Sequence, residues 1–485
     1  MLKQQMGRIG PIGPIGLILL TALTPAGAVE VRWDTIFRLT SDPANQLTGY
    51  SGQRCVAVDG EGSVYVAWLD QRDVPYQVWG RCYDADTRTW QAETALSNRP
   101  ANCFRPGIAC DRAGSVHLAW HMESYLGPGI WYKRFDAATG SWKPDTLIDT
   151  TTTAQSQSYP SIVCVPGSGD VDVAWYGLPD TGMYPRVFLK ERHSATGWDS
   201  AIQVSTAVVN HDQVSVAAGA NGDLAVVWCG MDFGSSHNQV CCRRRVAGTW
   251  QDVEQVSDFP DDISQYSPTV AIDGEGAVHV VWHGRPGFGA YYQQIFHRSR
   301  AESGWLAIES VSGTRSYDQK FPSIACAAGR CHAVWASQAN TDHMQLAYSQ
   351  RDTDGVWSSP TILTALDSGD VSCPSITCDA DSGIHIVWYD ASSGNQDVYY
   401  LRGFLPGPGI AEGSFKPQAP SLKPGATVLR ANALQTAGCP LSTGPMLLDA
   451  SGRKVSAKVT SLPAGVYFVV PTRGMTKPTP VIIVR

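Results

Sequence analysis

Val278-His279-Val280-Val281-Trp282 is the stretch that decides how this chain is read. β-Branched residues recurring at every second position mark a strand buried on at least one face. Val64-Tyr65-Val66-Ala67-Trp68 has the same pattern, and the tryptophan closing each stretch belongs to a series: Trp68, Trp120, Trp175, Trp228, Trp282, Trp335 and Trp388. A second series runs Trp33, Trp90, Trp142, Trp198, Trp250, Trp305 and Trp357, so the two account for 14 of the 16 tryptophans. Successive members of the first series are 52 to 55 residues apart. Such a period is the mark of a repeat architecture.

Each repeat reads as four short strands. Strand A is clearest in Tyr159-Pro160-Ser161-Ile162, Phe321-Pro322-Ser323-Ile324 and Cys373-Pro374-Ser375-Ile376. A tight turn follows, as in Asp59-Gly60-Glu61-Gly62 and Asp273-Gly274-Glu275-Gly276. Strand B ends on the first tryptophan. Strand C carries aromatic and basic residues, as in Ile130-Trp131-Tyr132-Lys133-Arg134, and a second turn leads to the other tryptophan and strand D. Four-stranded units at this spacing, set radially, are the blades of a β-propeller. The expected fold is all-β: a seven-bladed propeller over residues 29–404.

The ends of the array predict how the ring closes. The seventh repeat starts at Cys373 and stops near Arg402 without a second tryptophan, running into the Pro/Gly-rich stretch 405–417. The missing strand D lies at the other end of the chain. Trp33-Asp34-Thr35-Ile36-Phe37-Arg38-Leu39-Thr40-Ser41-Asp42 matches the pattern of Trp250-Gln251-Asp252-Val253-Glu254-Gln255-Val256-Ser257-Asp258. An unclosed ring would expose strand edges, which invite aggregation.

Composition excludes other classes. With 47 glycines, 30 prolines and 43% hydrophobic residues, the chain is neither disordered nor a helical array. Its net charge of −7 argues against nucleic acid as a partner. Lys3 and Arg8, an apolar run from Ile15 to Leu23 and the triplet Ala26-Gly27-Ala28 read as a secretory signal peptide over residues 1–28, with cleavage after Ala28. Without those two bases the charge becomes −9. The remaining chain has no run of 18 apolar residues, so no membrane span is expected, and the protein is expected to be secreted or attached to the outer surface.

Export bears on the 13 cysteines. An oxidising destination permits disulfides, and an odd count leaves at least one thiol unpaired. Cys326 and Cys331 flank a short turn and are placed to pair across adjacent strands. Cys110, Cys164, Cys326 and Cys378 also share one place in successive repeats, as small buried residues would. No zinc spacing occurs. His117, His279, His332 and His385 stand three residues before their tryptophans in different blades, where they fan out and cannot converge on one ion. The Asp-Gly-Glu-Gly turns lack the oxygen ligands calcium needs and read as hairpins. No metal or cofactor is expected.

In a propeller the A–B and C–D turns lie on one face, and the B–C loops with the starts of strand A lie on the other. Here the first set is short and repetitive, whereas the second is longer and differs in every blade, as binding loops do. That face offers Arg54, Asp70, Arg72, Arg105, His121 and Glu123, and further round the ring Tyr176, Asp232, His283, Arg285, Tyr389 and Asp390. Aromatic, carboxylate and guanidinium groups around a funnel suit sugars or acidic glycans.

Residues 29–404 resemble the sialidase-type, Asp-box propellers. The segments that carry the resemblance precede the second tryptophan: Asp84-Ala85-Asp86-Thr87-Arg88-Thr89-Trp90, Gly140-Ser141-Trp142, Gly304-Trp305 and Gly355-Val356-Trp357. The family box, Ser-x-Asp-x-Gly-x-Thr-Trp, is not met in full by any repeat, so the match is to the wider superfamily. That family's enzymes use three arginines on a carboxylate, a Tyr-Glu pair and an aspartic acid/base. The nearest string to their first arginine motif is Phe104-Arg105-Pro106, and no arginine triad can be assembled from the sequence.

Residues 418–485 change character. Short strands are expected around Val428-Leu429-Arg430, Met446-Leu447-Leu448, Val466-Tyr467-Phe468-Val469-Val470 and Val481-Ile482-Ile483-Val484, in a small antiparallel sandwich. Leu448-Asp449-Ala450-Ser451-Gly452-Arg453-Lys454-Val455 and Leu462-Pro463-Ala464-Gly465-Val466-Tyr467 resemble the type A C-terminal sorting domain of the bacterial type IX secretion system. The resemblance implies passage through that machinery. The reading favoured is a secreted propeller that binds a glycan or an extracellular protein. A divergent sialidase-type glycoside hydrolase and a structural surface component are the alternatives.

Overall fold

A computed structural model describes residues 30–405, apart from 51, 124–128, 150–156, 181, 261 and 340, and the backbone of four strands nearer the C-terminus. The expected signal peptide and the linker after residue 405 lie outside the described residues. Among those described, no helix is long and apolar enough to cross a membrane.

Seven sheets of four principal strands form the propeller. Blade 2 shows the plan: strand A is Asn102–Cys110, B is Val116–Glu123, C is Gly129–Asp136, and D is divided into Ser141–Trp142 and Thr146–Leu147. The tryptophans of the first series all stand in strand B and are at most 1% exposed. They fill the seams between neighbouring sheets. Trp228, for example, packs with Val163, Leu189 and Val204 of the preceding blade. Burying about 200 Å² of indole contributes roughly 5 kcal/mol of gross stabilisation per seam. The outer tryptophans carry a cation each in five blades, where Arg81, Lys133, Lys190, Arg243 and Arg298 of strand C lie 5.5–6.0 Å from the ring centres. Each of these cations then donates to a carbonyl of the previous blade, at Leu39, Leu96, Ile148, Val204 and Val256 respectively. The basic residues of strand C are therefore blade-to-blade latches.

The hairpin reading of the underside turns is borne out. The Asp59 carboxylate accepts the backbone N–H groups of Glu61 and Ser63, and Asp273 does the same for Glu275 and Ala277. The strand-B histidines continue these turns inward as separate structural chains. His117, His332 and His385 each bond a tyrosine hydroxyl of strand C at 2.7 Å, and His279 bonds His297 at 3.1 Å.

The ring closes as expected. Arg32–Trp33 and Phe37–Arg38 pair antiparallel with Asp397–Phe404, strand C of blade 7, in the sheet that contains Trp388. Asp397, fully buried, accepts from Arg38 at 2.6 Å and from Thr40 at 3.1 Å. Gly403 leaves room for Trp33: a Cβ there would stand 2.6 Å from the indole.

Blade 1 departs from the plan. Its strand A is split into Gln46–Leu47 and Val56–Val58, and the chain between them enters the axial channel. Thr48 donates to the Cys373 carbonyl, Gln53 to that of Tyr159 and Arg54 to that of Val270, while Ile108 donates to Arg54. Gly52 packs on the Val214 carbonyl, and Tyr50 meets Phe321. This plug touches all six other blades.

The C-terminal unit, residues 414–485, is separate. Its four described strands, Thr427–Arg430, Met446–Asp449, Gly465–Val470 and Thr479–Val484, lie where the sequence places them. They form one mixed sheet instead of a purely antiparallel arrangement. Two antiparallel pairings join the last three strands, and the first runs parallel to the last, filling its open edge.

Candidate functional site

Strand A starts with the same irregularity in six blades. Arg105, Tyr159, Gln213, Ser267, Phe321 and Cys373 occupy equivalent positions, all with φ between 45° and 56°. The register slips at each of them. A left-handed backbone is unusual for such residues, and bulges of this kind re-aim side chains. The six bulges form a ring around the axis, and in blade 1 the plug takes the corresponding place. A second ring is made by the residue after each strand-B tryptophan: Leu69, His121, Tyr176, Cys229, His283, Ala336 and Tyr389.

The two rings meet in an aromatic cluster on the loop face. The Arg105 guanidinium lies 4.0 Å from the Tyr50 ring centre and 5.3 Å from that of Tyr159. Tyr159 stacks on His121 at 5.6 Å and on Tyr176 at 5.3 Å, and Phe104 stacks on the other side of His121. His121 Nδ1 accepts the Tyr159 backbone N–H at 3.4 Å, and its Nε2 stands 3.8 Å from Glu123. Blade 5 repeats the device: His283 accepts the Phe321 backbone N–H at 3.3 Å and packs against Tyr266 and Phe321. Among the described residues Arg105 makes no ion pair, and Glu123 is a carboxylate near enough to feel its charge.

Burial sets the protonation states. It lowers the His121 pKa against the pull of Glu123, whose own pKa falls through its bond to His121. Burial takes His283 down to about 3, so this ring is neutral at physiological pH. The Tyr159 and Tyr176 phenols are pushed up by burial, and Tyr389 to about 12, so they act as hydrogen-bond donors. Asp212, on strand A of blade 4 and close enough to perturb Tyr176, is raised by burial to about 6. One of its carboxyl oxygens is buried without a hydrogen bond. The cluster thus offers one cation, flat ring faces and several neutral donors.

The structure sorts the twelve sequence candidates. Arg105, His121, Tyr176, His283 and Tyr389 stand in the axial rings, and Glu123 is exposed beside His121 at the end of its strand. Arg54 lies inside the channel as part of the plug, its guanidinium bonded to Val270 at 2.7 Å. Asp70, Asp232 and Asp390 are buried and do not face the funnel. They accept the indole N–H groups of Trp68, Trp228 and Trp388 at 2.9, 3.3 and 2.8 Å. Gln157, Gln265 and Gln319 do the same work in blades 3, 5 and 6. Arg72 is held by Asp70 and Glu93 and stacks on Trp79 at 4.0 Å, and Arg285 is exposed on its loop. Aspartate two to four residues beyond the blade tryptophan therefore caps the indole. Sequence reading missed Tyr50, Tyr159, Asp212 and Phe321. Tyr159 and Phe321 were marked by the strand-A proline that follows them and Tyr50 by the insertion in blade 1, whereas Asp212 stands on a strand A without a proline and carried no such signal.

Two other groupings are not sites. His279, Cys326 and Cys331 bring three metal-ligand atoms together, but the two sulfurs are joined in a disulfide, the pairing that the short turn allows. A cavity between blades 1 and 2 is lined by the strand faces of Tyr65, Gly80, Leu96 and Trp142 and is a packing groove.

No family model matches the chain, and no curated protein matches it. Solved structures do. An ulvan lyase of polysaccharide lyase family PL25, bound to -[GlcA(1-4)Rha3S]-, superposes with a TM-score of 0.54 at 10% identity, covering 76% of this chain and 95% of that one. The polysaccharide lyase Uly1 gives 0.50 at 11% identity, with 71% and 88% covered. The Hadza microbial sialidase Hz136 gives 0.41 at 12% identity, with 67% and 73% covered. At these identities the likeness to the two lyases is one of fold alone. Such a fold does not by itself define a function.

Proposed function

We propose that this protein is exported and binds an acidic glycan in the axial funnel of its loop face. The observation that carries this reading is Arg105: a half-buried guanidinium, held over Tyr50 and Tyr159 and without a carboxylate partner among the described residues. A guanidinium fork suits a carboxylate or sulfate, and the ring faces of Tyr50, Tyr159 and Tyr176 suit the C–H faces of sugars. The uronate and sulfated sugar named for the bound ulvan lyase are of this chemical kind. Export rests on the signal peptide ending at Ala28, and passage through the type IX machinery on the motifs of residues 418–485. Calorimetric titration with uronate-bearing and neutral oligosaccharides tests the binding: uronates bind and Arg105→Ala weakens them. Equal binding of neutral sugars, or indifference to Arg105→Ala, contradicts it.

A second reading, cleavage of the same glycan, is favoured by the titratable groups near Arg105. Burial keeps the Tyr176 phenol protonated at neutral pH and raises the Asp212 carboxyl to about 6, so that it holds its proton in mildly acidic solution, as a proton donor must. The sialidase-type route has less support, because Arg105 is the arginine that lies over these rings among the described residues, and Arg54 points into the channel. Chromatography of uronate polymers after incubation with the protein separates cleavage from binding.

A further inference from the structure

We infer that the blade 5 loop at residues 285–293 is an aromatic landing strip for the same glycan, so that a longer chain is held more tightly than a short one. This inference rests on the axial reading above and extends it outward along the loop face.

The loop reads Arg285-Pro286-Gly287-Phe288-Gly289-Ala290-Tyr291-Tyr292-Gln293. Tyr291 is 88% exposed and Phe288 75%, the largest exposures of aromatic rings among the described residues. A ring left in water forgoes the gain its burial would bring, so clustered exposed rings mark a contact surface. The loop is shaped to present them. Gly289 takes a left-handed φ of 86°, and the Ala290 N–H bonds the Gly287 carbonyl at 3.3 Å. Arg285 reaches the Ala290 carbonyl at 3.5 Å and braces the turn from its base. This gives the sequence candidate Arg285 a supporting role outside the funnel.

Two observations favour a sugar polymer as the occupant. The loop carries no aliphatic side chain larger than alanine apart from its proline, so what it offers is the flat ring faces of Phe288, Tyr291 and Tyr292, which suit the C–H faces of sugars. It is also continuous with the funnel. His283, two residues before Arg285, is part of the inner rings through Phe321. On the same face the loop of the preceding blade adds Phe233, 55% exposed.

The test compares dimers and octamers of galacturonate, mannuronate, glucuronate-containing hyaluronan and ulvan by calorimetry, on wild-type protein, Phe288→Ala/Tyr291→Ala and Arg105→Ala. Both variants are first checked for native circular dichroism. The expected result is that one of these octamers binds at least tenfold more tightly than its dimer. The loop variant then loses most of that gain while its dimer affinity is unchanged. Arg105→Ala weakens dimer and octamer alike. Equal affinity of dimer and octamer, or a loop variant that keeps the full gain, overturns the landing strip while leaving the axial site standing. Indifference to Arg105→Ala with loss in the loop variant overturns the axial reading instead. Absence of binding by every oligomer overturns both.

Discussion

The guanidinium of Arg105 rests 4.0 Å from the ring centre of Tyr50, although the two residues come from different blades and reach the axis by different routes. Arg105 arrives on a strand-A bulge. Tyr50 arrives on the plug that blade 1 sends down the channel. Neither would meet the other if blade 1 had an ordinary strand A.

On the proposed reading, that pairing makes Arg105 matter more to binding than to folding. Arg105→Ala is expected to leave thermal stability within about 1 kcal/mol of wild type, since a cation over a ring contributes on that order. Affinity for a uronate oligosaccharide should fall about 10- to 100-fold, the loss of a charge-assisted contact. Arg105→Lys should recover only part of it, because an ammonium has no planar fork.

The plug predicts a coupled loss. A Cβ on residue 52 would stand 2.3 Å from the Val214 carbonyl oxygen, a backbone atom with little freedom to move. Gly52→Ala should cost about 1–3 kcal/mol of stability through overpacking and also weaken glycan binding, because Tyr50 rides on the same loop. Chemical denaturation and calorimetry on the same sample check both. Binding unchanged with stability lost would detach Tyr50 from the site.

Ring closure is tested at the opposite end of the chain. Gly403→Val puts a side chain where the Trp33 indole lies and should loosen Arg32–Trp33 from blade 7. The expected outcome is a loss of about 1–3 kcal/mol in denaturant and a rise in light scattering on storage, as the freed strand edge finds other chains.

Asp212 gives a pH signature. Its carboxyl is raised to about 6 in the fold from 3.8, so the folded state binds more protons between those values. Its contribution favours the folded state at low pH and is lost as pH rises through that window. Asp212→Asn should therefore match wild type near pH 4 and exceed it by about 3 kcal/mol well above pH 6, read from urea midpoints across the range. Equal curves at all pH values would refute the burial of this group.

The propeller was legible in the sequence because its seams are filled by one residue type. Fourteen tryptophans at fixed spacing set the blades, and the unmatched Trp33 identified the closing strand. The axial site was only half legible. Arg105, His121, Glu123 and Tyr176 could be placed on the right face from their position after a tryptophan or before a proline. Asp70, Asp232 and Asp390 share that sequence neighbourhood, yet capping a buried indole is a use of a carboxylate that residue type and spacing do not distinguish from binding. The plug was invisible for another reason. An insertion within one strand shows only as a longer repeat, and its path into the channel is decided by contacts with six blades far away in sequence.

Titration of a uronate oligosaccharide into wild-type protein and Arg105→Ala, with the tyrosine ring resonances followed by NMR, tests the central claim most directly. The account predicts saturable binding in which signals from Tyr50, Tyr159 and Tyr176 shift together, with both the shifts and the heat lost in Arg105→Ala. Saturable binding that leaves those three rings unmoved, or that survives Arg105→Ala at full strength, would place the ligand elsewhere and contradict it.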